Sequence, residues 1–399
     1  MNPQITPIVL NQQGLSFTLS GVDVSVANAI RRTILSQIDR LTLGNVVVEE
    51  NTSAQFHNEI IKHRLQSIPV IMDLRTVEEM EDFCDKYYIE IDVHNTTEAK
   101  MYVTTEHIQI LERNAEENSN RKGSVPDARV VFPPYKTHYY IDLLRLYPGK
   151  GETIPGERLK LTADFQIHRA NENSCYTVAS KCAYYNTVDM GKAMDAWTKL
   201  EKAGINDGWT ADIVALKKRD FLALDADRYY KPNSFDFTVR SIGIYEENDL
   251  VFRACGLIVR TLEQLKVNIE ADAVHMYPST ESTMENAWDI VLKNGTSISK
   301  GIEEEENVNA WRKNTMHDGH SIGTILDHLM YRDYVEGKKT VTYSGFAKFH
   351  PHNKDSVLRV ALRSSDDIQT ALKSYLVNCC DQAIQVFKRV EPFFGKNAP

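Results

Sequence analysis

The feature that most constrains the fold is an order of elements that the chain spells twice. Ser25-Val26-Ala27-Asn28-Ala29-Ile30-Arg31-Arg32 and Ser321-Ile322-Gly323-Thr324-Ile325-Leu326-Asp327-His328 each open a helix with a hydroxyl residue and continue with apolar residues at helical spacing. Ahead of the first, Leu15, Phe17 and Leu19 alternate with Ser16 and Thr18, the period of a half-buried strand. The first helix carries Val26, Ile30, Ile34 and Ile38 on one face, and Val46-Val47-Val48 reads as the next strand. Phe235, Phe237 and Val239 then alternate, followed by a helix with Val251, Ala254, Ile258, Leu262 and Leu265. In the second half Trp288, Ile290 and Leu292 alternate before the Ser321 helix, whose apolar face is Ile322, Leu326 and Leu329. Strands at Val341–Phe346 and Ser356–Leu362 follow, then a long helix bearing Ile368, Leu372, Tyr375, Cys379, Ala383, Val386 and Val390. Each half therefore reads strand, helix, strand, strand, long helix, within an α+β fold.

A different texture separates the parts of the first half. Tyr87–Val93, Tyr139–Leu144 and Leu159–Ile167 read as strands, Glu112–Asp127 as an exposed loop and Met190–Leu224 as polar helix. This stretch is expected to be a β-rich inserted domain. The expected division is 1–51 and 231–270 for the first unit, 52–230 for the insertion and 271–399 for the second unit. Pro278-Ser279-Thr280 is expected to break the chain between units, and Glu303–Glu306 to lie in a solvated loop.

Chemistry is sparse. There is no nucleotide-binding loop, no G-x-S-x-G, no H-E-x-x-H and no dinucleotide fingerprint. His317, Asp318, His320 and His328 form one cluster of ligand-type residues, but Asp318 and His320 stand where a helix start needs capping groups. Cys175 and Cys182 supply only two thiolates and Cys84 is isolated, so no metal is expected. The six cysteines form no C-x-x-C pair, which fits a reducing compartment. A net charge of −9 disfavours tight direct DNA binding, and Lys217-Lys218-Arg219 reads as a solvated face. No apolar run reaches the roughly 18 residues that span a bilayer, and the first residues lack a signal pattern, so no membrane association or secretion is expected.

Three segments carry a resemblance. They are Val24–Arg32, Val46-Val47-Val48-Glu49-Glu50-Asn51-Thr52, and Glu59-Ile60-Ile61-Lys62-His63-Arg64-Leu65-Gln66-Ser67-Ile68-Pro69-Val70. Together they resemble the assembly subunit of cellular RNA polymerases, the family of bacterial alpha, its archaeal D counterpart and the eukaryotic third-largest subunit. Ile141–Pro148 and Phe235–Arg240 resemble that family's later strands. The second half is similar to the family's smaller partner, the archaeal L or eukaryotic eleventh subunit, at His320–Gly323, Tyr343–Pro351 and Ala371-Leu372-Lys373. Thr324 and Gly319 depart from that partner's usual asparagine and acidic residue, and the insertion lacks the cysteine cluster of many relatives.

The resemblance implies two alpha-subunit-like dimerisation units packed as an intrachain pseudo-dimer, buried through Ile30, Ile34, Ile258, Leu262, Ile322, Leu326, Leu372, Cys379 and Val386. It implies a non-catalytic platform for the two largest polymerase subunits, with small adaptor subunits as further partners. Asn28, Arg31, Arg32, Phe56, His57, Glu59, Ile60, His63 and Arg64 are the candidate contacts, the arginines because guanidinium binds carboxylates bidentately. Magnesium is expected on the largest subunit, with no cofactor in this chain. Separate partners joined in one chain imply a large DNA virus of eukaryotes, with the host cytoplasm and the virion as locations and the nucleus as alternative. The rival readings are a metal enzyme built around His317, and a free-standing viral dimerising or DNA-binding transcription factor.

Overall fold

The computed structural model describes residues 1–113, 125–135, 138–150, 155–280, 283–293, 319–350, 355–364 and 367–395. His317, Asp318, Glu303–Glu306 and most of the Glu112–Asp127 loop lie outside the described residues. Two compact units account for the chain. The first comprises Met1–Ile34, Lys181–Arg240 and Glu247–Pro399, and the second Leu35–Ser180 with Ser241–Glu246.

In chain order the first elements are β1 (Gln4–Asn11), β2 (Gly14–Ser20) and α1 (Val24–Ser36). The second unit then supplies β3 (Arg40–Asn51), α2 (Asn58–Ser67), α3 (Val77–Lys86), β4 (Tyr87–His94), β5 (Met101–Thr104) and β6 (Gln109–Glu112). Its remaining elements are the short α4 (Ala128–Val131), β7 (Asp142–Leu146) and β8 (Arg158–His168). The first unit resumes with β9 (Ala179–Val188), α5 (Met190–Asn206), α6 (Ala211–Asp220), β10 (Tyr230–Ser241) and α7 (Glu247–Glu270). Beyond it lie β11 (Met276–Pro278), β12 (Ala287–Lys293), α8 (Gly319–Met330), β13 (Val341–Ala347), β14 (Asp355–Leu362) and α9 (Ile368–Val390).

The first unit contains two four-stranded sheets, ordered β1-β2-β10-β9 and β11-β12-β14-β13. Element for element these are one plan: an edge strand, a central strand, a helix, a second edge strand, a second central strand and a long helix. In the first sheet Leu15, Phe17 and Leu19 are buried on one face of β2, and Phe17 stacks on Phe237 of β10 at 4.9 Å between ring centroids. Gly14 turns into β2 at φ +114, where a Cβ would stand 2.3 Å from the Val239 carbonyl oxygen, so only glycine fits.

The strand at Val46–Val48 belongs to neither sheet. It lies in β3, which pairs with β8. The counterpart of β13 is β9, not β3. The compact units accordingly divide at Ile34/Leu35 and Ser180/Lys181 rather than at the expected 51/52 and 230/231, and the helices of 190–220 fall in the first unit. The reason is physical: alternation marks a strand but says nothing of which strand completes its ladder. The hydroxyl caps also differ from expectation. Asp23 Oδ2 accepts the Ser25 amide at 2.8 Å, so Asp23 opens α1 and Ser25 sits inside its first turn. Pro278 does not break a linker but ends edge strand β11, paired with Trp288, a position where a missing N–H is tolerated. The strand expected at Tyr139–Leu144 starts only at Asp142, with Tyr139 bridged to Tyr135.

In the second unit a sheet ordered β3-β8-β4-β6 buries alternate residues of β8, Leu159, Leu161, Ala163, Phe165 and Ile167. A two-stranded ribbon, β5-β7, stands beside it in sequence. Asp39 and Arg169, both nearly inaccessible, form a two-pronged ion pair at 2.5 and 3.1 Å. Arg40 is fully buried and donates to the carbonyls of Thr177 (3.2 Å) and Gln66 (3.4 Å). Burial lowers its pKa.

Candidate assembly interface

The apolar residues expected to join the two halves all lie in the first unit, and all are buried. Ile30, Ile34, Leu262, Leu326, Leu372 and Cys379 are fully inaccessible, and Ile258, Ile322 and Val386 nearly so. They lie on two helix pairs. α7 packs antiparallel to α9, since Glu263 meets Lys388 at 2.7 Å, Lys266 meets Asp381 at 2.8 Å and Asp272 meets Lys373. The same two helices bury Cys255, Cys379 and Cys380. Burial raises all three thiols, Cys380 to about 12.

α1 and α8 meet by their ends. Arg32 Nε, in the C-terminal half of α1, donates to Ser321 Oγ in the first turn of α8 at 3.3 Å. His328 in the last turn of α8 lies 3.6 Å from Asp23, the residue opening α1. With Ser25 aligned on Ser321, Arg32 and His328 occupy equivalent positions. Equivalent positions, Arg32 and His328, thus each reach the start of the other helix, with their partners Ser321 and Asp23 offset by two positions, an approximate twofold contact. α8 in turn lies close on its own sheet, because a Cβ at Gly323 would stand 2.2 Å from the Phe346 ring of β13.

The candidate contacts for large subunits fall in two places. Asn28, Arg31 and Arg32 are half-buried on α1 in the first unit. Arg31 donates through Nε and Nη2 to Asn28 Oδ1 at 3.1 and 2.9 Å, and Arg32 is engaged with Ser321. Arg31 also faces Cys182, whose thiol is nevertheless pushed up to about 12 by burial. Phe56, His57, Glu59, Ile60, His63 and Arg64 lie in the second unit. They do not share one helix: α2 begins at Asn58, so Phe56 and His57 precede it. Asn51 Nδ2 holds that entry by donating to the Phe56 carbonyl and to Asn58 Oδ1. Phe56 and Ile60 are half-buried, whereas His57, Glu59, His63 and Arg64 are exposed. Arg64 lies over the Phe56 ring at 5.4 Å and donates to the Asp142 carbonyl at 2.6 Å.

Sequence reasoning missed Asp23, the bond from Arg32 to Ser321 and the charged pairs along α7 and α9. Their signal was available only as charges one helical turn apart beside an apolar stripe, at Glu263 and Lys266. For the histidine cluster, the His320 ring rests against Phe346 and His328 against Asp23. Among the described residues no group of three or more His, Cys, Asp or Glu side chains could hold a metal ion.

The sequence of this chain has relatives. The RNA polymerase Rpb3/Rpb11 dimerisation domain family matches residues 16–262, from β2 into α7. Subunit Rpo3 of DNA-directed RNA polymerase from Pyrococcus furiosus is 24% identical over 268 residues, 63% of this chain and 92% of the relative. Rpo3 from Thermococcus kodakarensis is 52% identical over 56 residues, 14% and 21% of the two chains. Subunit RPAC1 of mouse RNA polymerases I and III is 34% identical over 77 residues, 19% and 22%. The chain belongs to the RNA polymerase Rpb3/Rpb11 dimerisation domain family.

Proposed function

We propose that this chain is a non-catalytic assembly subunit of a DNA-directed RNA polymerase. In this reading it carries both members of the dimerising pair, and residues 271–399 act as the smaller partner. The observation that carries it is the reciprocal contact of α1 with α8, set between two sheets of identical strand order. The family's dimer is then formed inside one chain, where covalent linkage holds the effective concentration of the partner high. The paired units present a platform to the two largest subunits, with small adaptors as further partners. Catalytic magnesium belongs to the largest subunit. A source in a large DNA virus of eukaryotes accounts for the joined units, and places the chain in the host cytoplasm and virion, with the nucleus as alternative. Immunoblotting of purified virions and of fractionated infected cells tests that placement.

Co-expression with the two large subunits tests the function. A stable ternary complex that transcribes, and that fails to form without this chain, is the expected result. A polymerase that assembles and transcribes at full yield without it would sink the proposal. Tight, salt-sensitive binding of the isolated chain to duplex DNA would favour the transcription-factor reading instead.

A further inference from the structure

We infer that the β5–β7 ribbon of the second unit is a docking face for a carboxylate-bearing segment of another polymerase subunit; this rests on the assembly reading above. The ribbon has two unlike faces. Val103, Leu144 and Leu146 point into the unit and are buried. The other face carries Lys100, Tyr102, Arg145 and Tyr147, all exposed. Tyr102 stands directly opposite Arg145, with Met101 opposite Leu146, so the same antiparallel register sets Lys100 opposite Tyr147 two residues along. The Arg145 guanidinium lies over the Tyr102 ring at 5.0 Å, and the Lys100 ammonium over Tyr147 at 5.1 Å. These are two cross-strand cation–aromatic pairs in alternating orientation on one face.

The neighbouring sheet treats its cations differently. Arg158 is matched to Asp92 and Glu50, Lys160 to Glu49 and Arg113 to Asp164. Among the described residues, Lys100 and Arg145 meet no carboxylate and rest on rings instead. A cation held on a ring face keeps its outward N–H groups directed at solvent and is already ordered, which lowers the entropy cost of capturing an anion. Tyrosine and arginine are also the residues that carry most binding energy at protein interfaces.

The face continues into residues singled out from the sequence. Gln55 Oε1 accepts the Arg145 amide at 2.8 Å, and Arg64, stacked on Phe56, donates to the Asp142 carbonyl at the start of β7. Glu98, Glu106 and Asp142 flank the ladder on exposed positions, which repels a continuous phosphate chain but leaves room for single carboxylates. An extended segment with acidic residues at alternate positions, about 7 Å apart, matches the diagonal from Lys100 to Arg145.

The test uses the full chain co-expressed with both large subunits. Lys100→Glu with Arg145→Glu should lower the recovered complex by about tenfold or more. The variant's own thermal transition should stay unchanged, because both side chains are exposed. A photocrosslinking amino acid replacing Tyr102 in the assembled wild-type complex should mark a partner peptide with acidic residues at alternate positions. If the charge-reversed chain assembles as well as wild type, or if the marked peptide lacks acidic residues, the ribbon assignment falls alone. If the wild-type chain never copurifies with the large subunits, the assembly reading falls and takes this one with it. Binding of a single-stranded RNA oligonucleotide by the wild-type chain, abolished in the double variant, would overturn the protein-partner assignment.

Discussion

The two sheets of the first unit share one strand order but differ in the described connections between their strands. In the second half Tyr331–Thr340 leads from α8 to β13, whereas most of the second unit, Leu35–Ser180, is inserted between α1 and β9. Between β9 and β10 the first half also carries α5 and α6, whose residues Ala193, Trp197, Phe221 and Ala226 make a small core of their own. Strand order is the same in both halves although the connections differ greatly in length. Loop closure explains the tolerance, since its entropic cost rises only logarithmically with length. What cannot grow is the set of buried faces that meet at α1, α7, α8 and α9.

If the halves are structural equivalents, equivalent injuries should cost the same. Ile30→Asp and Leu326→Asp each place a carboxylate at a fully buried position. Each should lose more than about 3 kcal/mol, with urea midpoints lowered alike. A large loss at one position and none at the other would break the equivalence. The reciprocal contacts sharpen it further. A double-mutant cycle on Arg32 and Ser321 should give a coupling of about 1 kcal/mol. The cycle on His328 and Asp23, longer and partly exposed, should give about half as much or less. Equal couplings would mean the contact is more symmetric than its geometry.

A further effect, confined to alkaline pH, concerns the thiols. Ordinary thiols ionise near 9.0, but burial holds Cys182 and Cys380 neutral up to about 12. Above about pH 9 the unfolded chain therefore releases protons that the folded chain retains, and stability falls as pH rises towards 12. Serine at both positions should flatten that decline in denaturation midpoints measured across this range. An unchanged slope would place the proton release elsewhere.

Much of this architecture was legible in the sequence. The final helix was marked by apolar residues from Ile368 to Val390, and α9 has those bounds. Long amphipathic helices are readable because their period persists over many turns. The exchange of β9 for β3 was not readable, because Val46-Val47-Val48 has the composition of a strand in any sheet. Nor was the role of Asp23, since a serine two residues later is an equally good capping residue by type. The cross-helix charges were hidden for a simpler reason: Lys266 and Asp381 are 115 positions apart. Of the candidate residues, burial of the apolar set on α1, α7, α8 and α9 followed from periodicity, whereas the division of the remaining set between two units did not.

The central pairing of each sheet also sets a schedule for synthesis. In the second half Asp289 of β12 bonds Arg359 of β14, 70 positions later. In the first, Thr18 of β2 bonds Asp236 of β10, 218 positions later. At about 5–20 residues per second, the ribosome leaves β2 and the apolar face of α1 waiting roughly 10–40 seconds for the strand that covers them. The Leu35–Ser180 part of the second unit emerges in that interval, and the later sheet closes soon after its strands emerge. During synthesis the exposed hairpin of β1 and β2 is therefore the part of this chain most in need of a chaperone.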